Sequence, residues 1–455
     1  MPGLPIGNAP YFRRARHPFQ SKTAPPSCSF RHRTSIMDEW RALEQAVPSP
    51  ILQCSMTEPT TTTSASPAWV LFALAMGAFA IGTTEFAAMS LVPFFAADLG
   101  ITEVEAGHAI SAYALGVVVG APLIAIFGAR IRRRTLLMGL MGLFALANGL
   151  SALAPDYRSL LVFRFLSGLP HGAYFGVAAL VAASLVPVNR RAKAVALVMS
   201  GLTVATVIGV PVANWLGQLF GWQSGFLVVA LLALLTVTLV ALLAPNEPAD
   251  TGASPLRELG ALRRPQVLLT LASGAIGFGG MFAVYTYVAS TMIEVTGLSE
   301  RSVPLVLGIF GVGMTLGNLG GAHLADKARD RTAMGMLLWS AVMLAIYPFV
   351  AADPVGLGII VFLIGMGGGV GSVMQVRLMD VAGDAQTLAA AAHHSAFNTA
   401  NALGPWLAGM AIAAGYGLTS AGFIGSALAL GGLAIYVIAV LLERSEKARL
   451  AATIC

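Results

Sequence analysis

One carboxylate, Glu85, stands in the stretch AIGTTEFAAMSL (80–91), within about thirty residues that carry no other charge. One permanent cation, Arg164, lies in a second apolar run, with His171 seven residues beyond it and therefore on the same helix face. A charge at bilayer depth costs about 2.5–3.5 kcal/mol on insertion scales, so such a group normally faces a cavity and has a partner. A glutamate caught between desolvation, which favours the acid, and a nearby cation, which favours the carboxylate, can load and release a proton near neutral pH. Glu85, Arg164 and His171 therefore form a candidate proton-coupling site. Both charges fall in the outer half of their helices, with a depth mismatch of up to two turns at about 1.5 Å per residue. The competing expectation is a fixed structural ion pair, or an arginine snorkelling outwards beside a glutamate held by Thr83 or Thr84.

A second polar cluster lies in HHSAFNTANALGP (393–405). Asn398 follows His394 by four residues and Asn401 follows by three more, so the three share a helix face. They are either satisfied core groups or a hydrogen-bonding wall that suits a polar, uncharged ligand. Tyr285 and Tyr287 point to nearly opposite faces of one helix, so at most one lines the same cavity; Tyr285 is taken as the candidate. Arg377, Asp380 and Asp384 read as a solvated loop, or alternatively as a gate ion pair.

The elements that must hold these groups follow from composition. Hydrophobic residues make up 56% and charged residues 11%, against about 45–50% and about 25% in soluble domains, so a bilayer is the expected solvent. Twelve candidate spans fall near 68–95, 107–128, 134–154, 160–184, 194–216, 223–244, 266–292, 303–325, 332–351, 354–376, 386–413 and 419–442. The uncharged stretches 194–246 and 385–442 are each divided at a short polar link, GQLFGWQSG and AAGYGLTSAG. Alternate loops hold Arg130, Arg132, Arg133, Arg134, Arg190, Arg191, Lys193, Arg257, Arg263, Arg264, Lys327, Arg329, Arg331, Arg377, Arg444, Lys447 and Arg449, which is 17, against Arg158 and Arg301 opposite. That bias predicts two cytoplasmic termini. The string Arg130 to Arg134 is suited to anionic headgroups.

The expected domains are a disordered cytoplasmic tail (1–66), a six-helix half (67–244), a cytoplasmic linker (245–265), a second six-helix half (266–442) and a short cytoplasmic tail (443–455). The first tail is rich in Arg, Pro, Ser and Thr; translation from Met56 is an alternative start. The cysteines Cys28, Cys54 and Cys455 lie near the ends, with no spacing suited to zinc. No metal, cofactor or nucleic-acid partner is expected.

The halves echo one another. APLIAIFGARIRRR (121–134) follows a helix with Gly116 and Gly120; GAHLADKARDR (321–331) follows one with Gly313, Gly317, Gly320 and Gly321. GVPVANWLG (209–217) and LGPWLAG (403–409) occupy matching spans. Such duplication is typical of transporters. With GTTEFAAMSLVP, GLPHGAYFGVAALVAASLVP and LTVATVIGVPVANWLGQLFGW, these lines resemble the major facilitator superfamily, in its drug:proton antiporter branch, over about residues 68–442. The more similar members are bacterial permeases described as arabinose/sugar, purine-nucleoside or chloramphenicol efflux proteins. The resemblance implies an all-α fold of twelve transmembrane helices, two pseudo-symmetric six-helix halves around a central cavity, working as a monomer. It also implies conformational roles for Gly128, Arg130, Arg132, Arg133, Arg134, Asp326 and Lys327 in the two basic turns, and for Gly209, Pro211, Gly404 and Pro405 in the bent helices. Ala125 and Ala129 stand where that family's first-turn Gly and Asp are expected, and Val210 separates Gly209 from Pro211.

No P-loop, GxSxG or HExxH motif is present, so neither an enzyme nor an ATP-driven pump is indicated. The expected function is proton-coupled efflux of a small polar or amphiphilic molecule across the inner membrane. A proton symporter or facilitative uptake carrier, and a non-transporting multi-span sensor, are the alternatives.

Overall fold

The computed structural model describes residues 66–128, 130–187, 190–246, 264–382 and 386–454. The first tail, nearly all of the 245–265 linker, Ala129 and Asp384 lie outside the described residues.

The described chain is all helix, without a strand. Ten helices are long and apolar enough to cross a bilayer. One of them contains Val303–Val350, which at 48 residues is roughly 70 Å long, twice the hydrocarbon thickness. It breaks at Ala328, whose φ of −156° and ψ of 67° are non-helical, and so supplies spans 8 and 9. The 26-residue helix Gln386–Ala411 completes the twelve as span 11.

The other spans are Pro67–Ser90 (1), Glu103–Gly128 (2), Arg133–Ala152 (3), Tyr157–Ser184 (4), Arg191–Phe220 (5), Gln223–Leu243 (6), Pro265–Val295 (7), Pro354–Ala382 (10) and Ser420–Ile454 (12). Span 1 ends earlier than expected: Pro93 opens a separate short helix, Val92–Leu99, closed by Gly100 at φ 64°. Span 10 ends later, at Ala382, and carries Arg377 inside it. Span 4 starts with a capping box, in which the Asp156 carboxylate accepts the Ser159 backbone N–H at 2.9 Å. That bond holds the Asp156 carboxyl below the usual carboxylate range. The span bends at Leu169–Pro170, where the proline ring cannot continue the hydrogen-bond ladder.

The internal repeat has a packing basis. In the first half, a Cβ on Gly116 or Gly120 would lie 2.1 Å from the carbonyl oxygen of Phe165 or Leu169, so span 2 touches span 4 backbone to backbone. In the second, a Cβ on Gly313 or Gly317 would lie 2.3 or 2.0 Å from the carbonyl of Phe362 or Met366, so span 8 meets span 10 in the same way. Small residues permit this approach, which replaces the hydrophobic drive that lipid cannot provide. Gly317→Val is therefore expected to cost about 3 kcal/mol through overpacking, read as a lower melting temperature of the purified protein. An unchanged melting temperature would remove the close-packing argument.

The bent spans obey the same rule. Gly209 closes a one-turn π-helix, Ala205–Gly209, and its missing Cβ leaves room for Thr83 Oγ1 of span 1. Gly404 faces the carbonyl of Gly279 in span 7, and Pro405 gives its carbonyl to the Tyr287 hydroxyl at 3.2 Å. Pro211 starts the helix after the π-turn, and a Cβ on Gly308 of span 8 would lie 3.8 Å from its ring.

The ends of the bundle that carry the basic turns are called the basic face below, and the opposite ends the far face. One apolar core lies wholly inside the first half, around Leu74, Phe144 and Tyr174. A larger one runs from the second half across the seam to Phe86 of span 1, Phe95 of the short helix after it and Ile110 of span 2, all towards the far face.

Candidate functional site

Glu85 is 3% exposed, and its Oε1 accepts a hydrogen bond from Asn401 Nδ2 at 3.1 Å. That contact joins span 1 to span 11, across the seam between the halves. Two further hydrogen bonds cross the seam: Ser111 Oγ to the Ala402 carbonyl at 3.1 Å and Gln218 Nε2 to the Glu300 carbonyl at 2.8 Å. All three lie in the part of the bundle nearer the far face. Phe86 adds apolar closure there, stacked on Phe282 at 6.0 Å and edge-on to Tyr285 at 5.5 Å.

Arg164 is 1% exposed, and the expected depth mismatch with Glu85 is absent. Its Nη1 reaches Thr84 Oγ1 at 3.2 Å, the residue beside Glu85, and also Asn148 Oδ1 at 3.5 Å and Ser167 Oγ at 3.4 Å. Glu85 and Arg164 nonetheless form no ion pair. Adjacent helical residues point about 100° apart, so Thr84 turns into the first half while Glu85 turns to the second. The guanidinium is instead flanked by the rings of Tyr113 and Phe226, at 4.4 and 5.1 Å, which suits a cation. Its Nε and Nη2 are buried without a hydrogen-bond partner.

His171 is brought to the same tyrosine, with Nδ1 2.8 Å from the Tyr113 hydroxyl. It does not touch Glu85. Its neighbour across the seam is His394, with ring centroids 6.1 Å apart. His394 stacks on Phe175 of span 4 at 4.7 Å and 8°. Asn398 and Asn401 are fully buried, and the Oδ1 of each lacks a hydrogen-bond partner. Asn398 Nδ2 is used locally, on the His394 carbonyl at 3.0 Å. Tyr285 is buried between Phe86 and Phe310 with its hydroxyl unpartnered. Tyr287 points elsewhere, towards Pro405.

The basic turns differ sharply. Arg130 and Arg132 are exposed, Arg133 and Arg134 half-buried, and a Cβ on buried Gly128 would press on Leu136 at 3.0 Å. Arg134 donates to the Ala241 carbonyl of span 6. In the second half Asp326 and Lys327 are exposed, and the tethering acid is Asp330, four residues on. Asp330 Oδ1 accepts from Arg377 Nη1 at 2.8 Å, from the Tyr436 hydroxyl at 2.9 Å and from Arg329 Nε at 3.1 Å. Arg377 is neither in a solvated loop nor paired with Asp380. It is fully buried, bonded also to Glu443 at 3.2 Å, Gln266 at 3.2 Å and Thr270 at 3.3 Å, while Asp380 pairs with Arg329. The tally of one buried permanent cation is thereby corrected to two.

Sequence reasoning passed over Asn148, Tyr113 and Glu443, and it gave Thr84 as a holder of Glu85, whereas Thr84 bonds Arg164 and Asn148. Asn148 had a signal: it is the one amide in its apolar span, MGLFALANGLSA. Tyr113 had none, since nothing marks which face of a helix turns inward.

Twelve spans in two halves, with buried polar and titratable groups at the joint and the seam fastened towards one face, define a multi-span membrane transporter. The chain matches the Major Facilitator Superfamily model over residues 74–405 and 283–453, and it belongs to that superfamily. It is 40% identical to the inner membrane transport protein YdhP of Escherichia coli K12, over 81% of this chain and 94% of the relative. It is 35% identical to a chloramphenicol resistance protein of Streptomyces lividans, over 74% and 88%. Its fold is similar to a solved bacterial homologue of the human lysosomal transporter Spinster, in an inward-facing and unoccupied conformation. The TM-score is 0.62 at 17% identity, covering 82% of this chain and 95% of that one.

Proposed function

We propose that the protein is a proton-coupled exporter of a small polar or amphiphilic molecule, working by alternating access as a monomer. We place it in the inner membrane with the basic face and both termini cytoplasmic. The observation that carries the reading is the Glu85–Asn401 bond across the seam. A hydrogen bond to a carboxylate is roughly twice as strong as a neutral one. Protonating Glu85 therefore weakens the far-side closure, and losing the proton restores it, which couples proton occupancy to the exposed side. Arg164, held beside Thr84, supplies the positive field of the site; His171 links that field to the second half.

Asn398, Asn401 and Tyr285 present unpartnered polar atoms amid aromatic rings, a lining that suits a ligand with both hydrogen-bonding groups and an apolar body. The basic bias, 16 to 2 once Arg377 is placed inside span 10, supports the orientation. The name of the Streptomyces lividans relative supports efflux of a drug-like molecule, and that of YdhP supports the inner membrane.

The test is flux of L-arabinose, inosine and chloramphenicol in proteoliposomes under an imposed inward proton gradient. Gradient-driven movement against the proton flow is the expected result; movement with the protons, or indifference to the gradient, would replace export by symport or facilitated uptake. Asn398→Ala is expected to weaken binding of the transported probe by about ten-fold, the scale of one buried hydrogen bond, at unchanged expression. Equal affinities in mutant and wild type would remove Asn398 from the binding wall.

A further inference from the structure

We propose that His394 and His171 form a proton relay across the seam, between Glu85 and the basic face; the proposal rests on the Glu85 reading above. Glu85 is bonded to Asn401, and Asn401, Asn398 and His394 lie along one face of span 11. That polar line runs seven residues, about 10 Å, towards the basic face. From the other side, the Tyr113 ring lies against Arg164 at 4.4 Å, and its hydroxyl is hydrogen-bonded to His171 at 2.8 Å. The two lines converge where the His171 and His394 rings stand 6.1 Å apart. His393, 5.8 Å beyond His394, lines a small apolar pocket with Phe278, Met374 and Phe397.

A histidine kept only for packing would have its nitrogens satisfied. Among the described residues, the His394 ring has no hydrogen bond to another side chain, and its face stacks on Phe175. Centroid separations near 6 Å bring ring edges within the reach of one bridging water. The titratable groups that face these rings are Tyr113 and His394 at His171, and His171 and His393 at His394. Glu85 and Arg164 are the charges nearest the start of the line.

The step balances simply. The Glu85 O–H bond breaks and bridging water takes its proton past the two amides, a lone pair on one imidazole nitrogen takes a proton from that water, and the N–H on the other nitrogen gives one to water on the side of the basic face. The ring ends neutral in the other tautomer, and nothing is oxidised or reduced.

The test follows the Glu85 carboxyl C=O stretch by infrared spectroscopy on the purified full-length protein in detergent, after a rapid rise in pH. The band is assigned by its loss in Glu85→Gln. His394→Phe, which keeps the stack on Phe175, and His171→Phe should each slow the disappearance of the band by at least about ten-fold with unchanged final amplitude. His394→Gln should do the same, the double variant should be no slower than either single one, and added imidazole should restore part of the rate in His394→Ala. Wild-type rates in both single variants would overturn the relay and leave Glu85 as the proton site. Absence of a titrating band in the wild type would overturn both.

Discussion

Glu85→Gln is expected to abolish gradient-driven flux, lowering it by about a hundred-fold or more, while exchange of the transported probe in the absence of a gradient continues. Glutamine fills the same space and keeps a neutral hydrogen bond with Asn401, the weaker bond that the protonated carboxyl also makes, so folding persists and the seam still closes. What it lacks is the proton. The contrast between driven flux and exchange separates loss of coupling from loss of the protein. It is read by following accumulation in proteoliposomes with and without an imposed pH difference. Normal driven flux in Glu85→Gln would end the coupling role of this residue.

The second large effect is structural. Arg377→Met should destabilise the protein by about 3 kcal/mol, because removing one member of a buried charge network leaves the others uncompensated. The figure sits at the low end of the range for such losses because the side chains of Asp330 and Glu443 are 30% and 21% exposed and regain some water. Three spans and a turn lose a common fastening: 7 through Gln266 and Thr270, 10 through Arg377, 12 through Glu443 and Tyr436, and the turn before span 9 through Asp330. Lysine is a poor substitute, as it cannot reproduce the guanidinium fork. The melting temperature of purified Arg377→Met should fall by several degrees, with partial recovery in Arg377→Met/Asp330→Asn. Arg130→Ala, on the exposed turn of the other half, should stay within about 0.5 kcal/mol of wild type. Equal melting temperatures for all of them would show that the network contributes nothing.

Parts of this were legible in the amino-acid order and parts were not. Glu85 was visible because a lone charge in an apolar run is expensive. Its partner was not, because Asn401 lies 316 residues away and the register between two helices of different halves leaves no trace in local spacing. Arg164 was placed too shallow by counting from its loop; a helix beginning at Tyr157 and leaning on Thr84 and Asn148 puts it level with Glu85. The duplication was readable because glycines four apart demand backbone contact on one face, a requirement the second half repeats. Asp330 was missed because Asp326 matched a familiar pattern, yet the break at Ala328 turns the later acid, and not the earlier one, under the bundle.

The three hydrogen bonds that fasten the seam have a consequence for how often the molecule changes state. At a net contribution of about 1 kcal/mol each, they favour the far-closed arrangement by about 3 kcal/mol, a population ratio on the order of a hundred to one. The opposite arrangement is then a standing minority rather than a rarity. A ligand that prefers it by a comparable margin levels the two arrangements, and one that prefers it by about 5.5 kcal/mol inverts the ratio.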